Sequence, residues 1–164
     1  MTGLAIRAAG PEDAGLVLWF IRALAEYEKL LHECVADEEL VRRHLFGDTP
    51  RAEAVIAELD GEPAGFALYF HNFSTFLARP GLYVEDVFVK PEHRGRGIGR
   101  ALFSHLAGIA LARGCGRMEW WVLDWNAPAI GFYRAIGARA MEEWTVQRLT
   151  GPALEALARG DRPA

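Results

Sequence analysis

The amino-acid sequence predicts an α/β fold of the mixed α+β kind, with a mostly antiparallel sheet of about six to seven strands flanked by helices. Three strand-like segments follow one another in the middle of the chain, and strand and helix patterns then alternate towards its end. The length of 164 residues and a hydrophobic content of 51% suit one compact core. We therefore expect residues 1–164 to form a single domain.

The first part of the chain predicts one short strand and two helices. Residues 4–8 have a strand pattern. A helix opens at residues 11–13, because proline is tolerated in the first helical turn and acidic side chains favour its positive end. A second helix is predicted over 37–46 and ends at Gly47. The first helix has one apolar stripe with three- and four-residue steps, formed by Leu16, Phe20, Leu24, Tyr27 and Leu31.

The rest of the chain supplies the remaining elements. Strand patterns cover 53–59, 63–70 and 82–89, and the Asp60-Gly61 pair is typical of a hairpin turn between the first two. After them the sequence predicts, in order, a long helix over 97–113, a strand over 117–123, a short helix over 127–136 and a strand over 141–149.

Composition limits the classes of function. The net charge of −4 does not favour a nucleic-acid partner, and no apolar stretch reaches the ~18 residues of a membrane-spanning helix. The N-terminus lacks the basic start and apolar run of a secretory signal. The two cysteines, Cys34 and Cys115, have no metal-ligand spacing. We expect a cytoplasmic protein that has no metal, nucleic-acid or membrane partner.

Charge is distributed unevenly along the chain. Residues 12–62 contain 13 acidic side chains against 5 Lys or Arg, whereas residues 90–117 contain 6 basic side chains against one acid. The first half therefore favours cationic partners and the second favours anions. Both could also be ordinary solvated faces, which charge counts do not distinguish.

The most informative segment joins the strand over 82–89 to the long helix. It contains three glycines at alternate positions, Gly95, Gly97 and Gly99, within a basic loop. Glycine lets backbone N–H groups approach a ligand closely, and a helix start adds unpaired N–H donors with a partial positive charge. The pattern predicts a phosphate or pyrophosphate site, surrounded by Arg94, Arg96 and Arg100.

Two other phosphate-binding loops do not fit this segment. The nucleotide P-loop requires Gly-Lys-Ser/Thr, and the only lysines of the chain are Lys29 and Lys90. The dinucleotide fingerprint requires glycine or alanine where Arg100 stands, near the start of a strand–helix–strand unit. A glycine-rich turn without a ligand is the remaining structural alternative.

In this setting the sequence resembles the GNAT superfamily of N-acetyltransferases. Residues 94–99, Arg-Gly-Arg-Gly-Ile-Gly, match its acetyl-CoA motif Q/R-x-x-G-x-G/A between a strand and a helix. The closer resemblance is to the diamine (spermidine/spermine) acetyltransferase branch, and it is carried by residues 6–7, 24–28, 82–89 and 124–133. It implies a GNAT-like domain whose cofactor loop lies between the fourth strand and the third helix.

The resemblance implies acetyl-CoA as co-substrate and assigns residues to it. Backbone amides of the strand before the loop would hold the pantetheine and the acetyl carbonyl, the loop would hold the pyrophosphate, and Asn126 would contact the cofactor from the following loop. Backbone N–H donors at a carbonyl stabilise the oxyanion that forms when an amine attacks. The implied set is Val87, Phe88, Val89, Arg94, Gly95, Arg96, Gly97, Ile98, Gly99, Arg100, Asn126, Pro128 and Ala129.

The resemblance also implies that Tyr133 is the acid that protonates the departing thiolate. A phenol with a pKa of about 10 can donate to a thiolate whose conjugate acid has a pKa near 8.5. The alternative for Tyr133 is a core aromatic residue beside Phe132.

Glu85 and Asp86 are the candidates for accepting the proton of the amine. An alkyl ammonium has a pKa of about 10.4 and no free lone pair, so it must lose a proton before it attacks. On a regular strand the two side chains point to opposite faces, unless a bulge relaxes that limit. We expect Glu85 to be the closer partner. The alternative is an exposed acidic pair.

Further residues match the amine side of the branch. Tyr27 and Glu28 end the first helix, and Glu28 is suited to a distal ammonium or to a solvated ion pair. Strand alternation places Glu119 and Trp121 on one face, where an aromatic ring would attract cations. Trp144 follows Glu142 and Glu143 at a shorter distance from Tyr133 than in animal members of the branch.

The leading functional hypothesis is acetyl transfer to a small cationic amine, either a diamine or polyamine or a thialysine-like side chain. The sequence leaves open another acceptor, such as an amino acid, an aminoglycoside or a protein N-terminus, and a non-catalytic acyl-CoA-sensing module. Tyr133 and Glu85 disfavour the sensor, because a sensor needs no proton donor. The resemblance also implies a homodimer.

Overall fold

One five-stranded sheet organises the computed structural model, which describes residues 3–162. Its strands lie in chain order, the first four antiparallel to one another and the fifth parallel to the fourth. The strands are β1 (Leu4–Ala8), β2 (Glu53–Leu59), β3 (Glu62–Ser74), β4 (Arg79–Val89) and β5 (Met118–Glu119). The predicted mixed, mostly antiparallel sheet is confirmed.

The chain divides into two compact units, one ending at Asn126 and the other beginning at Ala127. The first contains the sheet with helices α1 (Ala14–Tyr27), α2 (Glu38–Phe46) and α3 (Ile98–Ala112). The second contains α4 (Ala127–Ala135) and α5 (Gly151–Ala158). Short 3₁₀ turns occur at Pro11–Asp13, Leu31–Glu33 and Pro91–His93.

Both faces of the sheet in the first unit are covered. Four successive residues of β2, Ala54 to Ala57, are buried, which requires packing on the two sides of the strand. On one side, Phe20 of α1 stacks on Phe66 at a centroid distance of 4.9 Å and meets Phe88 edge-on at 6.3 Å. α3 contacts β1, β3 and β4 and buries Leu102 completely. This core fixes the position of β4, which carries the predicted acidic pair.

Local chemistry accounts for the helix starts. The Asp37 carboxylate accepts the Leu40 N–H at 2.8 Å and caps α2. Before α1, Asp13 accepts the Gly10 N–H at 2.8 Å and two hydrogen bonds from Arg7 of β1. The Arg7 guanidinium holds the pKa of Asp13 below its usual value. The predicted elements before β4 match the observed ones, with a longer β3–β4 hairpin.

The predictions for the two last strands are wrong. The strand predicted over 117–123 is reduced to Met118–Glu119, and residues 141–149 contain no strand, so the described chain has five strands rather than six to seven. A strand pattern becomes a strand only through hydrogen bonds to a neighbour. The described part of the second unit contains no strand with which residues 141–149 could pair. The Trp144 N–H instead donates to the Met141 carbonyl at 3.3 Å and closes a turn.

Candidate active site

The glycine loop has the backbone that phosphate binding requires. Gly95 and Gly97 have φ angles of +76° and +80°, a region that other residues rarely adopt. Gly97 is the N-cap of α3 and provides no side chain to cap the first N–H groups of the helix. These donors and the helix dipole therefore face the loop, and Arg96 and Arg100 beside them are exposed. The segment fits the pyrophosphate of acetyl-CoA.

β4 loses its neighbour on one side just before the acidic pair. The parallel ladder joins Leu82 to Met118 and Tyr83 to Glu119 and ends there. Beyond it, in the described sheet, the N–H groups that β4 directs away from β3 have no strand to pair with. This edge includes residues 87–89, the predicted contacts of the pantetheine and the acetyl carbonyl. The Phe88 side chain is buried in the core, so its contact with the cofactor would be through the backbone.

A bulge occurs in β4 at Glu85. Asp86 pairs with Leu68 and Val84 pairs with Tyr69, which leaves Glu85 as the extra residue between them. Leu68 belongs to the core against α1, and Asp86 opposite it is on that same face. The bulge interrupts the alternation that would send Glu85 and Asp86 to opposite faces. The bulge therefore removes the geometric reason that would keep the two carboxylates on opposite faces.

Three carboxylates, Glu28, Glu85 and Asp86, interact electrostatically. Burial raises the pKa of Asp86 to about 7, and the charges of Glu85 and Glu28 contribute to the increase. Burial and the charge of Glu85 also raise the pKa of Glu28. We call these residues the acidic trio. The trio attracts a cation, and one of its members titrates near neutral pH.

Tyr83 lies beside predicted site residues, and the sequence analysis gave it no role. Burial raises its pKa, and the charges of Glu85 and then Glu119 add to the increase. Its ring packs on Phe70 at 4.9 Å and meets Trp121 edge-on at 5.9 Å. The signal in the sequence is its place two residues before Glu85. Tyr83 therefore lies close to Glu85 of the acidic trio, to Glu119 and to Trp121.

The two tryptophans after β5 pack against different elements. Trp120 packs on Phe103 of α3 at 4.9 Å, whereas Trp121 is exposed and faces Tyr83. The Glu119 carboxylate forms an ion pair with Arg117, with Oε1 and Nε 3.0 Å apart. An exposed aromatic ring and a carboxylate therefore lie on the Tyr83 side of the strand.

Tyr27 lies where two predicted sets of residues meet. Its hydroxyl donates to Asn126 Oδ1 at 3.1 Å, and its ring is 5.1 Å from the guanidinium carbon of Arg94. The ring of Trp125, 6.0 Å from the Tyr27 ring, carries the Lys29 ammonium at 4.9 Å. The structure therefore brings a residue predicted to bind the amine into contact with two predicted to bind acetyl-CoA. The sequence analysis gave no role to Trp125 or Lys29.

The second unit contains Tyr133, the predicted acid, and the remaining predicted site residues, Pro128, Ala129 and Trp144. Pro128 and Ala129 are in the first turn of α4, and Tyr133 is in its last turns, half-buried, with its ring 5.7 Å from that of Phe132. Trp144 is 74% exposed in a segment without regular structure. The roles of these residues stay predictions.

Residues 3–162 contain neither a candidate metal site nor a membrane-spanning helix. No group of three or more His, Cys, Asp or Glu in this part of the chain could hold a metal ion. Its helices are all too short or too polar to cross a membrane.

Comparisons with known proteins agree with this geometry. The model of the acetyltransferase (GNAT) family matches residues 19–138. Thialysine N-epsilon-acetyltransferase of Bos taurus is 40% identical over 96% of this chain and 99% of its own. L-ornithine N5-acetyltransferase of Arabidopsis thaliana is 32% identical over 93% of this chain and 86% of its own.

Solved structures show the same fold. An integron cassette protein from the mobile metagenome of V. cholerae is 28% identical and superposes with a TM-score of 0.80, over 97% of this chain and 99% of its own. An aminoglycoside acetyltransferase from a soil metagenome has a TM-score of 0.75 at 18% identity, over 90% of this chain and 96% of its own. The resemblance found in the sequence is confirmed, and the chain belongs to the acetyltransferase (GNAT) family.

Proposed function

We propose that this protein transfers an acetyl group from acetyl-CoA to a primary amine of a small cationic substrate, a diamine, a polyamine or a thialysine-like amino acid. The acidic trio carries this proposal, because Glu85 and Asp86 lie on the strand that leads directly into the glycine loop and Glu28 at the end of α1 adds its charge to theirs. The names of the relatives support it, since thialysine and L-ornithine both carry a side-chain amine.

Different residues of the chain would bind the cofactor, stabilise the oxyanion and donate a proton. Acetyl-CoA, when bound, supplies an acyl group activated as a thioester. The N–H groups of residues 95–100 and the arginines of the loop would hold its pyrophosphate. The open edge of β4 would donate N–H groups to the acetyl carbonyl, and those donors would stabilise the oxyanion of the reaction. Tyr133 is proposed as the acid for the thiolate.

We assign the proton acceptor to the Glu85–Asp86 pair, with Asp86 as the acceptor and Glu85 as the charge that attracts the ammonium. The sequence analysis expected Glu85 to be the closer partner. Asp86 suits the acceptor role better, because a base is most effective when its pKa lies near the working pH. Glu28 at the end of α1 would bind a second, distal ammonium. Glu119 and Trp121 would line the approach to it.

The proposed activity is tested by release of coenzyme A thiol from acetyl-CoA across a panel of amines. Putrescine, spermidine, thialysine and ornithine represent the proposed class, and an aminoglycoside and a peptide N-terminus represent the alternatives. We expect turnover with a member of the first group, at a rate well above that of acetyl-CoA hydrolysis. Turnover confined to the alternatives would contradict the proposed substrate class. Binding of acetyl-CoA without turnover would favour an acyl-CoA-sensing module.

We further propose that each chain forms one domain, that two chains form a homodimer, and that the protein is cytoplasmic. The family model runs from residue 19 to residue 138 and so includes parts of both units, which supports one domain. The β3–β4 hairpin exposes three apolar side chains, Phe73, Phe76 and Leu77, with Phe76 95% exposed, and such patches are typical of interfaces. Free Cys34 and Cys115 suit a reducing compartment. Light scattering should give twice the chain mass of 18.2 kDa.

A further inference from the structure

Tyr27, the last residue of α1, is engaged on two sides by residues far away in the sequence. Its hydroxyl donates to Asn126 Oδ1 at 3.1 Å, and Asn126 is only 9% exposed. The guanidinium of Arg94 lies over its ring at 5.1 Å. Both contacts are with residues that the sequence resemblance assigns to acetyl-CoA.

Arg94 is itself held in a definite place. Its Nε donates to the Val89 carbonyl at 3.0 Å, and its guanidinium carbon is 5.4 Å from the Phe88 ring. The Arg94 side chain therefore joins the start of the glycine loop to the end of β4. Because a guanidinium over an aromatic face is attracted to the ring, the Tyr27 ring helps to set the path of this loop.

The amide of Asn126 has two different ends, and the contact with Tyr27 decides which end faces which way. The Tyr27 hydroxyl donates to the carbonyl oxygen of the amide, and the NH2 group at the other end carries only donors. The NH2 group then points away from Tyr27. An amide that is buried and held in this way presents one fixed donor direction.

We infer that Tyr27 is a positioning residue for acetyl-CoA, which orients the Asn126 amide through its hydroxyl and supports Arg94 through its ring. This inference rests on the proposed function, and it differs from the role that the sequence predicts for Tyr27. One face of the Tyr27 ring is already occupied by Arg94, and its hydroxyl is already bonded to Asn126.

Two variants separate the two contacts. Tyr27→Phe keeps the ring under Arg94 and removes the hydroxyl, whereas Tyr27→Leu removes both. Dissociation constants for acetyl-CoA are measured by titration calorimetry, and the KM of the amine is measured at saturating acetyl-CoA. We expect Tyr27→Phe to weaken acetyl-CoA binding about three- to tenfold. Tyr27→Leu should weaken it further, while the amine KM of Tyr27→Phe changes less than about twofold.

Tyr69→Phe is the matched control. Tyr69 is a buried tyrosine of β3 that also has an arginine, Arg113, over its ring at 5.9 Å, and it has no place in the proposed site. Its loss of a hydroxyl should leave acetyl-CoA binding unchanged. In an Asn126→Ala background, Tyr27→Phe should add no further loss, because the partner of the hydroxyl is gone.

The outcomes distinguish this inference from the proposed function. If Tyr27→Phe raised the amine KM and left acetyl-CoA binding intact, Tyr27 would belong to the amine side and the inference would be overturned. Equal losses from Tyr27→Phe with and without Asn126 would also overturn it. If the unmodified protein bound no acetyl-CoA, the proposed function itself would fail.

Discussion

Tyr133→Phe is expected to lower kcat about 100- to 1000-fold while the dissociation constant of acetyl-CoA changes less than about twofold. The substitution removes one oxygen and keeps the ring beside Phe132 on α4. Loss of the proton donor then leaves the thiolate to depart without protonation. Stopped-flow or steady-state thiol release gives kcat, and calorimetry gives the affinity.

The matched control for Tyr133 is Phe132→Leu, which alters the neighbouring ring and leaves the phenol in place. We expect it to affect stability more than kcat, because Phe132 carries no group that can donate a proton. If Tyr133→Phe kept its kcat, the acid would have to be another group or solvent. A loss of acetyl-CoA affinity equal to the loss of kcat would make Tyr133 a binding residue.

Asp86→Asn is expected to lower kcat/KM for the amine about 100-fold at pH 8. The pKa of Asp86 is raised to about 7, first by burial and then by Glu85 and Glu28, so the group accepts a proton only above that pH. In the unmodified protein kcat/KM should therefore rise with pH through about 7, and Asp86→Asn should remove this rise. Glu85→Gln is the matched neighbour and should mainly raise the amine KM. The opposite pattern would return the acceptor role to Glu85.

The raised pKa of Asp86 should also make the free energy of unfolding depend on pH. The pKa of Asp86 is higher in the folded protein than the ordinary 3.8, so the folded state binds more protons between pH 4 and pH 7. Its contribution to the free energy of unfolding therefore falls as the pH rises through this window. Asp86→Asn should remove that loss and stabilise the protein at pH 8 by about 2 to 4 kcal/mol. Urea unfolding at pH 5 and pH 8 measures the difference between the two proteins.

The fold was predictable wherever the signals are local. The turn at Asp60-Gly61, the helix start at Asp37 and the glycines before α3 each specify their backbone through their own chemistry, and the structure has them in the predicted places. The glycine loop could be found for the same reason. Its phosphate-binding geometry depends on the φ angles of Gly95 and Gly97 and on the helix start that follows them.

The rest depends on residues distant in the sequence. Residues 117–123 have a strand pattern, but β5 ends where its ladder with β4 ends, after Glu119. The bulge at Glu85 is visible only in its pairing with β3. The contact of Tyr27 with Asn126 joins residues 99 positions apart. A sequence pattern shows which residues can be buried or charged, and not which distant partner they meet.

We propose that the acidic trio selects a substrate with a second positive charge, and a comparison of two amines tests this selection most directly. Putrescine and 4-amino-1-butanol have the same length and the same reacting amine, and they differ only in a distal ammonium or hydroxyl. We predict that kcat/KM for putrescine is about 10- to 100-fold higher, the effect of one charge-assisted contact with a carboxylate such as Glu28. Equal kcat/KM values for the two substrates, or a preference for the amino alcohol, would contradict the claim.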